Sequence, residues 1–311
     1  MKNRMQIGLF VLCVVFAQHS RAQSEDGDIV RASDGSAELS LGDGLQVSFG
    51  DGMYSFGLGG LLQPIMSLSQ IGSGDLERGL YIQRSFIELS ASDNEKGVSF
   101  LIRSDFAAER PLLDAYMVAD ISPVFSIKIG QFQSIANNRE MLFFEGNLGM
   151  VNRSLVSTTF AETGREFGLA LQADMGVGDV RIIPTLSVTS GDGMNSFGLL
   201  SNDVDRGGLK YGGRLDLYPF GRFSKGNAMT GFDLIGEPLP KLVLGGASSL
   251  NDGASGPVGE SHGAFGLFTE DGKDQLPQYL KNYVDAMMKW KGVTLLVEYV
   301  NTAAYNLQGA Y

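Results

Sequence analysis

The chain has 311 residues, 42 of them glycine, with 10% aromatic and 19% charged residues, against ordinary contents of ~7% glycine and ~25% charge. Lys+Arg number 24 against 35 Asp+Glu and no basic tract is present, which argues against a nucleic-acid-binding module. A single cysteine, Cys13, excludes a disulfide framework and a zinc-thiolate centre.

Lys2 and Arg4 precede an apolar run from Met5 to Ala17 and a polar stretch ending in Ser20-Arg21-Ala22, the layout of a secretory signal peptide over residues 1–22. The run is shorter than the ~20 residues a membrane-spanning helix needs. Cys13 lies inside it after Phe10-Val11-Leu12, which is not a lipoprotein context, so the mature chain carries no cysteine and its formal net charge moves from -11 to -14. Residues 23–43 are polar and acidic, with too little apolar surface to order themselves, and are expected to be a flexible periplasmic lead-in.

Residues 44–311 carry no long pattern of period 3.6; their recurrent pattern is period two. Val98, Phe100, Ile102 and Phe106 share one face of a strand, with Ser99, Arg103 and Asp105 on the other. Phe125, Ile127 and Ile129 oppose Ser126 and Lys128, and Phe167, Leu169 and Leu171 oppose Glu166, Gln172 and Asp174. Leu209, Tyr211, Leu215 and Leu217 oppose Lys210, Arg214 and Asp216. Val284, Ala286, Met288 and Trp290 oppose Asp285, Lys289 and Lys291; Val293, Leu295, Val297 and Tyr299 oppose Thr294 and Glu298. The stretch from Leu80 to Ala91 alternates poorly and receives no strand assignment. Leu45–Leu58 (LQVSFGDGMYSFGL) and Leu186–Leu199 (LSVTSGDGMNSFGL) match closely, and Gly-Asp-Gly between alternating runs is a hairpin signal that needs no duplication.

Short turns at Asp93–Lys96, Ser122–Val124, Met175–Gly178 and Lys291-Gly292 alternate with longer connections around Gly72–Arg78, Gln133–Gly164, Ser190–Gly208 and Asn251–Lys281. This asymmetry fits an all-β, antiparallel transmembrane β-barrel, with short turns on the periplasmic side, and not a soluble sandwich, which would also alternate. Pro219–Pro240 breaks the rule, being long where a short turn is due; either an insertion or an unseen strand pair lies there. Leu307-Gln308-Gly309 opens a further strand just before Tyr311, and no aromatic strand ending in Phe closes the set, so further strands are expected beyond it.

From Asp51 to about Ala173 an ordered set of segments carries a family resemblance. They are Met53–Gly60 with Leu62-Gln63, Gln83-Arg84-Ser85-Phe86-Ile87-Glu88-Leu89, Leu113-Asp114-Ala115-Tyr116, Gly130-Gln131-Phe132 and Gly164-Arg165-Glu166-Phe167-Gly168. In these the chain resembles the phosphate-selective porin O and P family of Gram-negative bacteria. The resemblance implies a sixteen-stranded, homotrimeric outer-membrane porin, of which this chain would cover roughly the first 11 to 12 strands. Its partners would be outer-membrane lipid and small hydrophilic solutes or ions, possible anions such as phosphate among them, and no cofactor, metal or catalytic residue is implied. Where the family commonly places prolines and a phenylalanine after Gly-Gln-Phe, this chain has Gln133-Ser134-Ile135-Ala136-Asn137-Asn138.

Ion selectivity follows the side chains facing the water path. The candidate pore-lining cations are Arg103, Lys128, Arg181, Lys210 and Arg214 on strands and Arg139, Arg153 and Arg165 in and after the Gln133–Gly164 loop, if that loop folds into the lumen. The candidate anions are Asp105, Asp114 and Asp120, together with Glu166, Asp174 and Asp216. Opposite signs on neighbouring strands would pair across the wall, which argues against strong phosphate selectivity. The competing reading of the loop is packing by Leu142, Phe143 and Phe144, and the competing reading of the protein is a structural or adhesive barrel with a plugged lumen.

An enzyme is not expected. The mature chain's sole histidine, His262, stands in a glycine-rich loop without nucleophile-elbow spacing. The GLGG at Gly57–Gly60 lacks the Lys-Ser/Thr and helix of a phosphate-binding loop, and Glu270-Asp271-Gly272-Lys273-Asp274 lacks calcium-loop spacing. The leader assignment predicts that the exported form begins at Gln23; mass spectrometry of membrane-fractionated protein should find that N-terminus, and finding Met1 there would refute it.

Overall fold

The computed structural model describes residues 30–32, 35–40, 44–70, 74–194, 208–254, 256, 258–260 and 267–308. The signal peptide, Cys13 and His262 lie outside them. The chain is all-β: one antiparallel sheet follows chain order along a path of fourteen strands. These are β1 (Val30–Ala32), β2 (Gly35–Ser40), β3 (Gly44–Phe49), β4 (Tyr54–Ser69), β5 (Glu77–Asp93), β6 (Val98–Asp105), β7 (Leu112–Asp120), β8 (Phe125–Gln133), β9 (Arg165–Ala173), β11 (Val180–Thr189), β12 (Lys210–Tyr218), β13 (Lys241–Asp252), β16 (Gln278–Trp290) and β17 (Val293–Tyr305). The short β10 (Met175–Val177) pairs with β11, and β14 (Leu267–Phe268) with β15 (Asp274–Gln275) forms a separate hairpin. Each strand of the path pairs antiparallel with the next strand of the path, the arrangement of a partial β-barrel.

The two faces separate as period two dictates. Register places Phe100 with Met117, Ile129 with Leu169, and Val284 with Tyr299 on one face, where all of them are exposed. The same registers place Arg103 with Asp114, Asp216 with Gly245, and Asp285 with Glu298 on the other. The exposed face is apolar and the charged face is buried, the reverse of a soluble sheet. The charged face is concave, because a single loop bonds to β5 on one side, where Arg84 donates to the Val151 carbonyl, and to β16 and β17 on the other.

Three differences from the sequence reading have physical causes. Residues 35–40, expected within a flexible lead-in, form β2, because Ala37 and Leu39 alternate with polar neighbours and the strand pairs fully with β3. With β1 and β2 added, and the stretch around Leu80 recovered as β5, the path exceeds the 11 to 12 strands expected. That stretch alternates poorly because a β-bulge shifts the β4–β5 register between Gln63 and Pro64, so that Arg84 pairs with Gln63 but Ile82 with Pro64. Of the two alternatives left open after Tyr218, the structure has the insertion, with a short 3-10 turn, Asn227–Met229, and no strand pair.

The two Gly-Asp-Gly sequences also part company. Gly50-Asp51-Gly52 makes a tight β3–β4 turn with all three residues at positive φ. Gly191-Asp192-Gly193 follows β11 and is drawn inward, with the backbone N–H groups of Gly191 and Gly193 donating to Glu166 Oε2. Lys291-Gly292, both at positive φ, is the two-residue β16–β17 turn expected from sequence.

Glycine is demanded where strands or loops approach the concave face closely. Gly130 has φ +129°, and a Cβ there would sit 2.7 Å from Tyr116 Cα. Gly130→Ala should therefore cost about 1–3 kcal/mol, read as a lower urea midpoint of the folded band on unboiled gels, whereas Gly246→Ala, where a Cβ meets nothing within 4 Å, should shift it little. Equal midpoints for the two variants would contradict the register at Gly130.

Candidate functional site: a loop clamped across the concave face

Between β8 and β9 the chain leaves the sheet for residues 134–164, which carry two short helices, α1 (Arg139–Leu142) and α2 (Leu155–Phe160), and a 3-10 turn at Glu145–Asn147. Ser154 caps α2, its hydroxyl accepting from Ser157 N–H. Charged side chains hold the loop at both ends.

At the first clamp, Arg139, 1% exposed, donates from Nε to Asp285 of β16 and from Nη2 to Asp216 of β12, each at 2.5 Å. Arg214 completes a square, donating to Asp285 at 2.6 Å, to Asp216 at 3.0 Å and to the Asn137 carbonyl at 2.9 Å. Two guanidiniums and two carboxylates balance. The square fits because β13 offers no side chain beneath it: a Cβ on Gly245 would lie 2.6 Å from Arg139 Nη2.

At the second clamp, Arg165, also 1% exposed, donates to Asp114 of β7 at 3.0 Å and to Glu145 of the loop at 2.7 Å. The alternation extends in both directions. Arg103 bridges Asp114 and Glu88, and Arg153 donates to Glu145 at 2.9 Å and to the carbonyls of Glu140 and Phe143. Phe144 lies 3.7 Å beneath the Arg103 guanidinium. Burial pushes the Glu145 carboxyl up, but Arg165 and Arg153 outweigh it and hold it well below the usual carboxylate range.

Further bonds fasten the loop's middle. Glu298 of β17 accepts from Glu140 N–H at 2.8 Å and from Asn138. Lys281 Nζ donates to the Phe160 carbonyl at 2.7 Å. Ala136 packs so closely on β12 that its Cβ is 2.8 Å from where a Cβ on Gly212 would sit.

The insertion between β12 and β13 reaches the same place from the opposite end. Gly231 N–H donates to the Asn147 carbonyl at 2.6 Å. Lys289 of β16 feeds the carbonyls of Asn227, Thr230 and Phe232 at 2.6–2.9 Å. Asp233 is buried, which pushes its carboxyl up, but bonds from Asn227 and from the N–H groups of Gly292, Glu237 and Gly236 hold it below its ordinary value. Where the two segments meet, Phe143 and Leu148 of the loop, Phe223 of the insertion, and Ile183, Tyr218, Val243 and Met287 of the wall form one buried apolar cluster.

Of the candidate pore-lining residues, Arg103, Asp114, Arg139, Arg153, Arg165 and Arg214 are thus brought into the two ion-pair networks. Lys210 is buried against Glu166 at 2.8 Å. Asp105 is buried and accepts from the N–H groups of Ser85 and Ala107, fixing a turn. Lys128 lies on the concave face over the rings of Tyr116 and Phe132, at 4.6 and 5.4 Å. Arg181 of β11 lies against Gly176, and Asp120, at the end of β7, against Gly97. The structure adds Glu145, Glu88 and Lys281, which sequence did not single out. Asp285 and Glu298 were legible as wet-face positions; Glu145, inside an aperiodic loop, left no pattern.

Among the described residues no group of three or more His, Cys, Asp or Glu side chains is placed to hold a metal ion. No family model matches the chain, and no curated protein matches its sequence.

The second clamp should be costly to break and sensitive to acid. Arg165→Met leaves Asp114 and Glu145 buried without their shared cation and should cost about 3–5 kcal/mol. Because Glu145's folded carboxyl is depressed, its stabilisation is complete above the unfolded carboxylate range, near pH ~4.3, and is lost as pH falls below it. Thermal unfolding of Glu145→Gln should therefore start lower than wild type at pH 7 and lose less on moving to pH 3; parallel pH profiles would contradict the pairing.

Proposed function

We propose that this chain is the wall and constriction of an outer-membrane channel for passive diffusion of small hydrophilic solutes or ions. The carrying observation is the reversed sheet, with an exposed apolar outer face and a concave charged inner face crossed by a clamped loop. An apolar outer face suits hydrocarbon, and in a bilayer every strand needs a paired neighbour, as antiparallel barrels supply. The membership in a porin family, the sixteen strands and the trimer implied by the resemblance belong to this proposal.

The ion-pair networks bear on selectivity. The arginines expected to make a constriction anion-attracting are each matched by carboxylates at hydrogen-bond distance, so their fields largely cancel within a few ångströms. Lys128 stands over aromatic rings with no ion pair to a carboxylate among the described residues. We therefore propose weak discrimination between anions and cations, with phosphate passing without strong preference.

One observation favours a second reading. The loop and the insertion meet inside the concavity at Asn147 and Gly231 over a buried apolar cluster, which is also how a structural barrel would plug its lumen. Planar-bilayer recording of the complete natural protein separates the two. A channel gives discrete conductance steps with a reversal potential near zero in a chloride gradient, and Lys128→Glu moves that potential toward cation preference. Absence of any conductance supports the plugged barrel, and strong block of the current by phosphate would refute weak selectivity.

A further inference from the structure

We infer that the solutes this channel binds as they pass are neutral and hydroxylated, of the chemical class of sugars, and that they move over the face of the Gln133–Gly164 loop that the ion-pair networks leave free. The inference rests on the channel reading above and deepens it.

The loop has two chemically different faces. Arg139 and Arg165, each 1% exposed, lie beneath it, out of reach of a passing solute. Arg153 and Glu145 pair with each other, and Glu140 accepts from Ser154 N–H at 2.8 Å. On the other face, from Gly146 to Thr159, every exposed residue is uncharged. Met150 is 77% exposed and Leu155 84%. Beside them stand the exposed Asn152 and Thr159, and neither Asn152 Nδ2 nor the Thr159 hydroxyl has a hydrogen-bond partner among the described residues. The next exposed charge, Glu162, comes only after the end of α2.

The strands that the loop reaches at its two ends carry the pattern on. Next to it on β4 the concave-facing residues are Leu61, Gln63, Ile65 and Ser67, set on that face by the pairing of Leu61 with Phe86 and of Gln63 with Arg84. On β17 the residues that share the concave face with Glu298 are Thr294, Leu296, Val300 and Thr302. Glu298 itself is taken up by the loop, through Glu140 N–H and Asn138.

The β4–β5 bulge supplies the remaining pieces. By breaking the alternation it turns both Gln83 and Arg84 toward the loop. Gln83 Nε2 donates to Asn152 Oδ1, and Arg84 Nη1 donates to Gln63 Oε1 at 2.5 Å and to the Val151 carbonyl at 2.7 Å. Arg84 thus anchors the loop, and it is a single guanidinium with no second cation converging on it. Beyond the bulge Tyr81 pairs with Ile65 and so stands on the concave face, 53% exposed. A sugar ring presents C–H groups on its faces and hydroxyls around its rim. The C–H faces suit Tyr81, Met150 and Leu155, and the hydroxyls suit Asn152 and Thr159, which need no charge to bond them. An ion gains little from such a surface, because only a fixed opposite charge on the water path would favour it.

The test records single-channel current of the complete natural protein in planar bilayers, with maltose as the probe. Maltose should block the current saturably, beyond the proportional fall that its viscosity alone produces, and phosphate at the same concentration should block less. Tyr81→Ala and Leu155→Asp should each weaken the maltose block several-fold while discrete conductance steps persist, which shows that the variants fold. Independently, Leu155→Cys should react with a membrane-impermeant methanethiosulfonate, and maltose should slow that reaction. A current that falls only with viscosity overturns the inference, as does maltose block of equal strength in the wild type and both variants. Tighter block by phosphate than by maltose also overturns it, and so does an unreactive Leu155→Cys, which would mean that protein and not water covers this face. Absence of conductance steps in the wild type instead overturns the channel reading, and the inference falls with it.

Discussion

Two arginines govern this structure, because each is buried where only its carboxylate partners make burial tolerable. Arg139 joins the loop to β12 and β16, and Arg165 joins it to β7. Taking such ions out of water costs several kcal/mol each, and close carboxylates with well-formed hydrogen bonds offset that cost only if all members are present. The loop therefore has one low-energy position, stretched between opposite parts of a curled sheet, and the sheet's curvature and the loop's path specify each other. Charge pairing here acts as a register device more than as a source of net stability.

The glycine-rich composition follows from the same constraint. A loop laid on the concave face needs places where the wall has no side chain, and Gly212 and Gly245 supply them beneath Ala136 and the arginine square. Gly130 serves the wall itself, where its unusual φ brings β8 close against β7. Each of these glycines is explained by an atom that a Cβ would strike. Gly246, one residue from Gly245 on the opposite face, is explained by nothing in its own chain.

Much of this was legible in the sequence where physics acts with a two-residue period. The strands around Phe100, Ile129, Leu169, Leu215, Val284 and Val297 were readable because one side had to be apolar. Arg214, Asp216, Asp285 and Glu298 followed as wet-face residues. The β4–β5 bulge hid a strand because a single irregularity flips the faces on either side of it. The pairing of Arg139 with Asp285 and of Arg165 with Asp114 and Glu145 was not readable, since it joins residues far apart in sequence through a loop without periodicity. The β12–β13 insertion was visible as too long for a turn, but its purpose emerges only from Lys289 and Asn147, which it meets in space.

The loop's fixed position across the concave face is the claim on which the constriction, the weak selectivity and the alternative of a plugged lumen all depend. It can be measured directly in the mature chain, which on the leader assignment is free of cysteine, by pairing Ala136→Cys with Gly212→Cys. The Ala136 Cβ lies 2.8 Å from the Cβ position of residue 212, so a shift of about 1 Å brings the two into disulfide geometry. Near-complete oxidation to an intramolecular disulfide in the folded protein, with the folded band retained on unboiled gels, is the predicted result. Two free thiols that react with a membrane-permeant maleimide in folded protein would show that the loop does not lie on β12, and would contradict the account.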